Sequence, residues 1–178
     1  MYPNSQPMAY EINDGIFTPC PPSSIAGNSS CPTCAFDGCS SLSYALERMG
    51  FRKFSKIVER SGLQNLDTNG LTVFAVCDEL ISDDFIENLG KLDAVNIVKS
   101  SSMNRLIPSI VFCQRIIATY GTLNRLVKLR IECAHDSITV SIGSDHTSRV
   151  LESDLRDEQN TNVMVHSVDN LLMPDCML

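Results

Sequence analysis

The sequence predicts an α+β domain, with several short helices packed on β-sheet and an extended N-terminal arm in front. Three observations carry this. Apolar residues recur at helical spacing between Ser41 and Gly62. Leu71 to Val76 is a six-residue run with apolar side chains on both faces. From Ile107 onward the apolar period shortens to two, the spacing of half-buried strands.

The elements follow in order. Leu42, Leu46 and Met49 share a helix face, and Gly50 is the stop. A second helix carries Phe54, Ile57 and Val58 and ends near Gly62, after which Leu63 and Leu66 lead into the Leu71 strand. Val73 and Ala75 face one way along that strand, and Thr72, Phe74 and Val76 the other, so it belongs in a sheet interior. Ser82-Asp83-Asp84 opens a third helix, with Ser82 as cap and the two acids on the positive end of the dipole. Its core face is Phe85, Ile86 and Leu89, with Gly90 closing it, and Leu92, Val95 and Val98 add a turn or two. Residues 110–119 are strongly β-prone. Val127, Leu129, Ile131 and Cys133 alternate with Lys128, Arg130 and Glu132, and Ile138, Val140 and Ile142 alternate up to the turn at Gly143-Ser144-Asp145. Val150-Leu151 reads as a short strand, 153–160 as an acidic loop, and Val163 and Val165 as the last strand. The division expected is an arm over 1–40, a domain over 41–174 and a short tail over 175–178.

At 178 residues with 43% hydrophobic content, the chain can build one sizeable core. Its net charge of −7 argues against nucleic acid as partner, because phosphate binding needs clustered Lys and Arg. Arg48, Arg52, Lys53, Lys56 and Arg60 form a local basic face, read as solvated helix surface. The N-terminus lacks the basic start and apolar stretch of a secretory signal, and no run approaches a membrane span. The expectation is a soluble chain without membrane insertion, not addressed to the secretory route. Residues 1–40 are rich in Pro, Ser, Asn and Cys. Thr18 to Ser24 should be stiff and polyproline-like. Asn28-Ser29-Ser30 is a glycan acceptor only if the chain is exported.

Two segments are the most distinctive. Thr72-Val73-Phe74-Ala75 followed by Asp78-Glu79, and Asn162, Val165, His166, Val168, Asp169, Leu171, Leu172 and Pro174, resemble the two signature segments of the fasciclin-like domain. Phe54 to Val58 with Ser61-Gly62-Leu63 is similar to an early helix of that family, and Tyr120-Gly121-Thr122-Leu123 loosely to its central turn. The resemblance covers residues 41–174 and implies a wedge of β-sheets with several helices packed on it. Val76 stands where the family usually has Pro, and Val163 where it has Gly. The family's Tyr-His pair is absent near Ser100-Ser101, a region associated with integrin-type adhesion in animal members. The resemblance implies an interaction module without chemistry of its own and without cofactor. His166, beside Val165, is expected at the core edge, bonded to backbone or to Thr72.

The chemistry-bearing candidates are few. Cys20, Cys31, Cys34 and Cys39 crowd the arm, and their spacing leaves disulfides, a tetrahedral zinc site and free thiols all open. Cys77, Cys113, Cys133 and Cys176 are read as small buried hydrophobes. His135-Asp136-Ser137 and His146 are the histidine candidates, but adjacent residues of a strand or turn face different ways, and triads assemble across a fold. No phosphate, dinucleotide, nucleophile-elbow or zinc-protease motif occurs. The expectation is a non-enzyme with no small-molecule substrate, which ties neighbours together in a large assembly through residues 1–40. Domains resembling this one occur in large DNA viruses, so a minor capsid (cement) role in a virion is the favoured setting. The alternative is a secreted or cell-surface adhesion protein.

Overall fold

The computed structural model describes residues 41–66, 70–135, 137–143 and 146–174. The expectations placed on the arm and its four cysteines, on the tail and on Asp136 lie outside the described residues.

Two helices open the domain. α1 (Leu42–Arg48) starts at Ser41, whose hydroxyl accepts the Tyr44 amide, and buries Leu42, Ala45 and Leu46. α2 (Arg52–Ser61) buries Phe54, Ile57 and Val58 and ends on Gly62 at φ +78°, a left-handed cap that glycine adopts without strain. Its first turn has no cap from Phe51. Instead the Asp78 carboxylate accepts the Lys53 amide at 2.8 Å, across 25 residues.

The fully buried strand β1 (Leu71–Val76) follows, then a 3₁₀ turn (Asp78–Leu80) and α3 (Asp83–Asn88), capped by Ser82 through the Phe85 amide. Gly90 opens the next helix rather than closing α3: α4 (Lys91–Ser100) is ten residues long. Its buried face is Ala94, Ile97 and Val98, and Leu92 is largely exposed, which corrects the Leu92–Val95–Val98 face. The shift by two positions turns that face onto α2.

Strands β2 (Ser102–Met103), β3 (Ile117–Gly121), β4 (Lys128–Ala134), β5 (Ser137–Ile142), β6 (His146–Asp157) and β7 (Asn160–Val168) complete a seven-stranded sheet of order β2-β1-β7-β6-β5-β4-β3. β1 and β7 run parallel with Phe74 opposite His166, and the other pairings are antiparallel. β6 joins the two halves. Its first residues pair with β5, its remainder with β7, and the register slips between Val150 and Leu155. Asp154 at that slip has φ +61°. Such bulges bend a strand and let one sheet serve two packing directions.

Two strand expectations need correction. Residues 110–119 are not one strand: Ser109–Phe112 forms the one-turn helix α5, and β3 starts only at Ile117. Pro108 precedes the turn, and Asp154 accepts the Ser109 amide at 2.8 Å, so a tertiary cap overrides β-branched propensity. The acidic stretch 153–160 is not a loop but the end of β6, a two-residue turn and the start of β7. Two of its acids have partners: Asp154 at Ser109, and Asp157 with Arg48 at 3.1 Å.

Candidate functional site

The segments most distinctive in sequence meet at His166. β7 carries it against Phe74 of β1, with ring centroids 5.4 Å apart and planes 29° from parallel. Phe112 of α5 meets the imidazole edge-on at 5.2 Å and continues to Tyr120 of β3. The ring is completely buried.

Both ring nitrogens are engaged by backbone. The Asp154 amide donates to Nδ1 at 3.3 Å, so Nδ1 is the acceptor. Nε2 then carries the proton and donates to the Ile107 carbonyl at 3.0 Å. Thr72 holds the other side of that segment: it accepts the Ile107 amide at 2.9 Å and donates to the Arg105 carbonyl at 2.7 Å. His166 thus reaches backbone at Ile107, and Thr72 braces the same residue. Burial pushes the imidazole pKa below its ordinary value, against the opposing pull of the Ile107 carbonyl and the Asp154 charge. Partial burial raises the Asp154 carboxyl, but the Ser109 hydroxyl and amide outweigh it and hold its pKa below the usual value.

Ser109, Asp154 and His166 have the composition of a nucleophilic triad but not its wiring. In a triad the serine hydroxyl donates to the imidazole, and the carboxylate accepts from the other ring nitrogen. Here the Ser109 hydroxyl donates straight to Asp154, and both imidazole nitrogens are held by main chain. The group therefore works as a clamp that joins segment 105–109, the β6 bulge and β7. Asp154 and Ser109 could not be read from sequence as its members, because neither lies in a recognisable motif and a bulge brings them together.

The remaining signature residues are also tied into the fold. Val73, Phe74 and Ala75 are fully buried, as is Val165. Asp78 caps α2. Asp169 accepts the Ser148 hydroxyl at 2.9 Å and the Arg149 amide at 2.8 Å, fastening the chain after β7 to β6. Leu172 and Pro174 are buried, Leu171 half-buried, and Asn162 is exposed on β7.

The other candidates lie apart. His135 sits at φ +52° in the β4–β5 turn, and the Ser137 hydroxyl donates to the Ala134 carbonyl. His146 begins β6. Three cations of the supposed solvated face bridge elements, which corrects that reading. Arg48 pairs with buried Asp157, Lys53 bonds the Ile81 carbonyl and Asp83, and Arg60 bonds the Glu87 and Leu89 carbonyls at the end of α3. Long side chains there outreach the helix surface that periodicity describes. Two cysteines read as buried hydrophobes are instead joined: Cys113 after α5 and Cys133 of β4 form a disulfide with Cα atoms 5.2 Å apart. Cys77 is buried, lies 3.0 Å from the Ser167 hydroxyl and is also disulfide-bonded. A cleft of about 450 Å³ between α3 and α4 is lined by Asp84, Phe85, Asn88, Asp93 and Met173. Among the described residues no helix is long and apolar enough to cross a membrane.

The α+β wedge, with short helices on a seven-stranded mixed sheet, is a fasciclin-like fold. Among solved structures the chain is similar to the FAS1 domain pair from the insect cell adhesion molecule fasciclin I. The TM-score is 0.58 at 22% sequence identity, over 71% of this chain and 46% of that one, so this chain spans about half of the pair's length. No family model matches the sequence, and no curated protein matches it.

Proposed function

We propose that this protein is a non-catalytic interaction module of the fasciclin type, which holds neighbouring proteins together. One observation carries the reading. The His166 ring is completely buried with both nitrogens bonded to backbone, and the Ser109 hydroxyl at the surface is committed to Asp154 rather than to the imidazole, so the cluster with the richest chemistry is wired as a structural tie. The similarity to an insect cell adhesion molecule supports the same class. In its assembly form the module binds neighbours through residues 1–40, and a minor capsid (cement) position in the particle of a large DNA virus is one setting for it.

The Cys113–Cys133 disulfide favours a second setting, a secreted or cell-surface adhesion protein, because structural disulfides persist chiefly in oxidising compartments. Crosslinking mass spectrometry in the native source tests the module reading. Recurrent crosslinks to one or two defined neighbours support it, and recovery of the chain only as a free monomer removes it. Surface labelling of intact cells, with a glycan mass on Asn28, separates the settings: labelled, glycosylated protein selects adhesion, and unlabelled protein inside particles selects assembly.

A further inference from the structure

Charge is segregated within the folded domain. Residues 78–93 hold Asp78, Glu79, Asp83, Asp84, Glu87 and Asp93 against a single cation, Lys91. Residues 94–131 hold Lys99, Arg105, Arg115, Arg125, Lys128 and Arg130 and no Asp or Glu. Large apolar side chains stand in solvent on both stretches: Leu80 and Leu92 on the acidic one, Ile110, Ile116, Ile117 and Leu126 on the basic one. The acidic stretch forms a cleft, and the basic stretch a knob.

The cleft is the one of about 450 Å³ between α3 and α4. Phe85, Leu89 and Met173 give it an apolar wall, and Asp84 and Asp93 bring carboxylates to it. The knob is the β3–β4 turn, residues 122–127. The Thr122 hydroxyl donates between the Asn124 and Val127 carbonyls, at 2.8 and 2.9 Å, and the Asn124 side chain accepts the Leu126 amide at 3.2 Å. The Leu123 and Asn124 amides donate to the Ser102 and Lys99 carbonyls at 2.8 and 3.1 Å, which seats the turn on the C-terminal end of α4. So braced, the turn holds Leu126 out at 95% exposure, flanked by the exposed cations Arg125 and Lys128. A side chain so exposed adds no packing to its own fold, yet six hydrogen bonds fix where it stands.

We propose that the Leu126 turn of one copy docks in the α3–α4 cleft of a second copy, head to tail. Leu126 meets the wall of Phe85, Leu89 and Met173, while Arg125 and Lys128 meet Asp84 and Asp93. An apolar anchor in a pocket supplies affinity, and opposite charges around it set the register. The turn does not fill its own cleft, because Leu126 is exposed. It is also fastened at Lys99 on the last turn of α4, whereas Asp93 lines the cleft from the first turn of that helix. Since the two surfaces differ, each pair leaves one turn and one cleft unused, and the contact repeats along a chain of copies or closes a ring. This inference rests on the interaction-module reading and names a second copy as one of its partners.

The experiment is sedimentation of the full chain over a concentration series. The wild type should self-associate beyond a dimer, and more weakly as salt is raised. Leu126→Ser, at a position too exposed to disturb folding, should weaken association about tenfold or more. Asp84→Lys with Asp93→Lys, folded by circular dichroism, should do the same from the other side. An equimolar mixture of the two variants should form a one-to-one dimer and nothing larger, because one intact turn and one intact cleft remain. A monomeric wild type, a Leu126→Ser variant that associates normally, or a mixture that stays monomeric or grows past a dimer would each overturn the inference. Crosslinks to other proteins in the native source would still support the module reading in those cases, so the two can fail separately.

Discussion

The two halves of the sheet treat their polar groups in opposite ways. In the half built from β1 and β7, both faces are covered, and Thr72, His166, Ser109 and Asp154 satisfy one another and the main chain. In the half built from β3 to β5, apolar and polar residues alternate, one face meets solvent, and β3 is the last strand among the described residues. The contrast teaches that the residues most distinctive in this sequence mark where the fold is fastened. The half whose sequence looks ordinary keeps one face exposed.

The sharpest way to break the comparison is to substitute equivalent strand positions in each half. His166→Ala removes a packed ring and leaves the Ile107 carbonyl and the Asp154 amide without partners, so urea unfolding should show a loss of about 3–4 kcal/mol. Thr119→Ala on β3 should change stability by less than about 0.5 kcal/mol. Equal losses would sink the division into a fastened half and a free one.

The disulfide is the exception inside the open half, because it anchors β4 to the turn after α5. With a sequence separation of 20 between its cysteines, Cys113→Ser with Cys133→Ser should cost about 3 kcal/mol. Wild-type protein in reductant should lose at least as much in thermal melting, because the Cys77 bond is reduced as well. Asp78→Ala tests a single tie on the β1 side. It uncaps α2 and should cost about 1 kcal/mol, with helix loss read from hydrogen exchange at Lys53.

The smallest effect concerns pH. His166 has a folded pKa below its ordinary 6.5. The unfolded chain then binds more protons in the window beneath 6.5, so His166 adds nothing to the slope above it, and stability falls as pH drops through that window. Asp154, lowered from 3.8, adds a further loss as acidification passes below that value towards its folded pKa. Stability measured from pH 8 down to 4.5 should decline more for wild type than for His166→Gln, which lacks the titrating ring. Parallel curves would show that His166 does not govern the slope.

Much of the helical part was legible because its signals are local. Ser41 and Ser82 cap their helices, and Gly62 ends α2, as side-chain chemistry within one turn requires. The fully buried β1 was legible from its two apolar faces. What misled the reading was distant in sequence. Residues 109–112 turn helical because Asp154, 45 residues on, accepts the Ser109 amide. The acidic 153–157 stretch stays in β6 because Asp157 meets Arg48 and a bulge turns Asp154 towards α5.

By itself the sequence determined the α+β class, the caps at Ser41 and Ser82, the stop at Gly62 and the buried interior strand, since each depends on spacing or composition along a few neighbouring residues. The tertiary structure alone decided that Ser109, Asp154 and His166 form a clamp, that Cys113 pairs with Cys133, and that β3 ends the sheet. Those outcomes depend on which strands lie side by side, and the long-range pairing that sets this leaves no periodic mark on the chain.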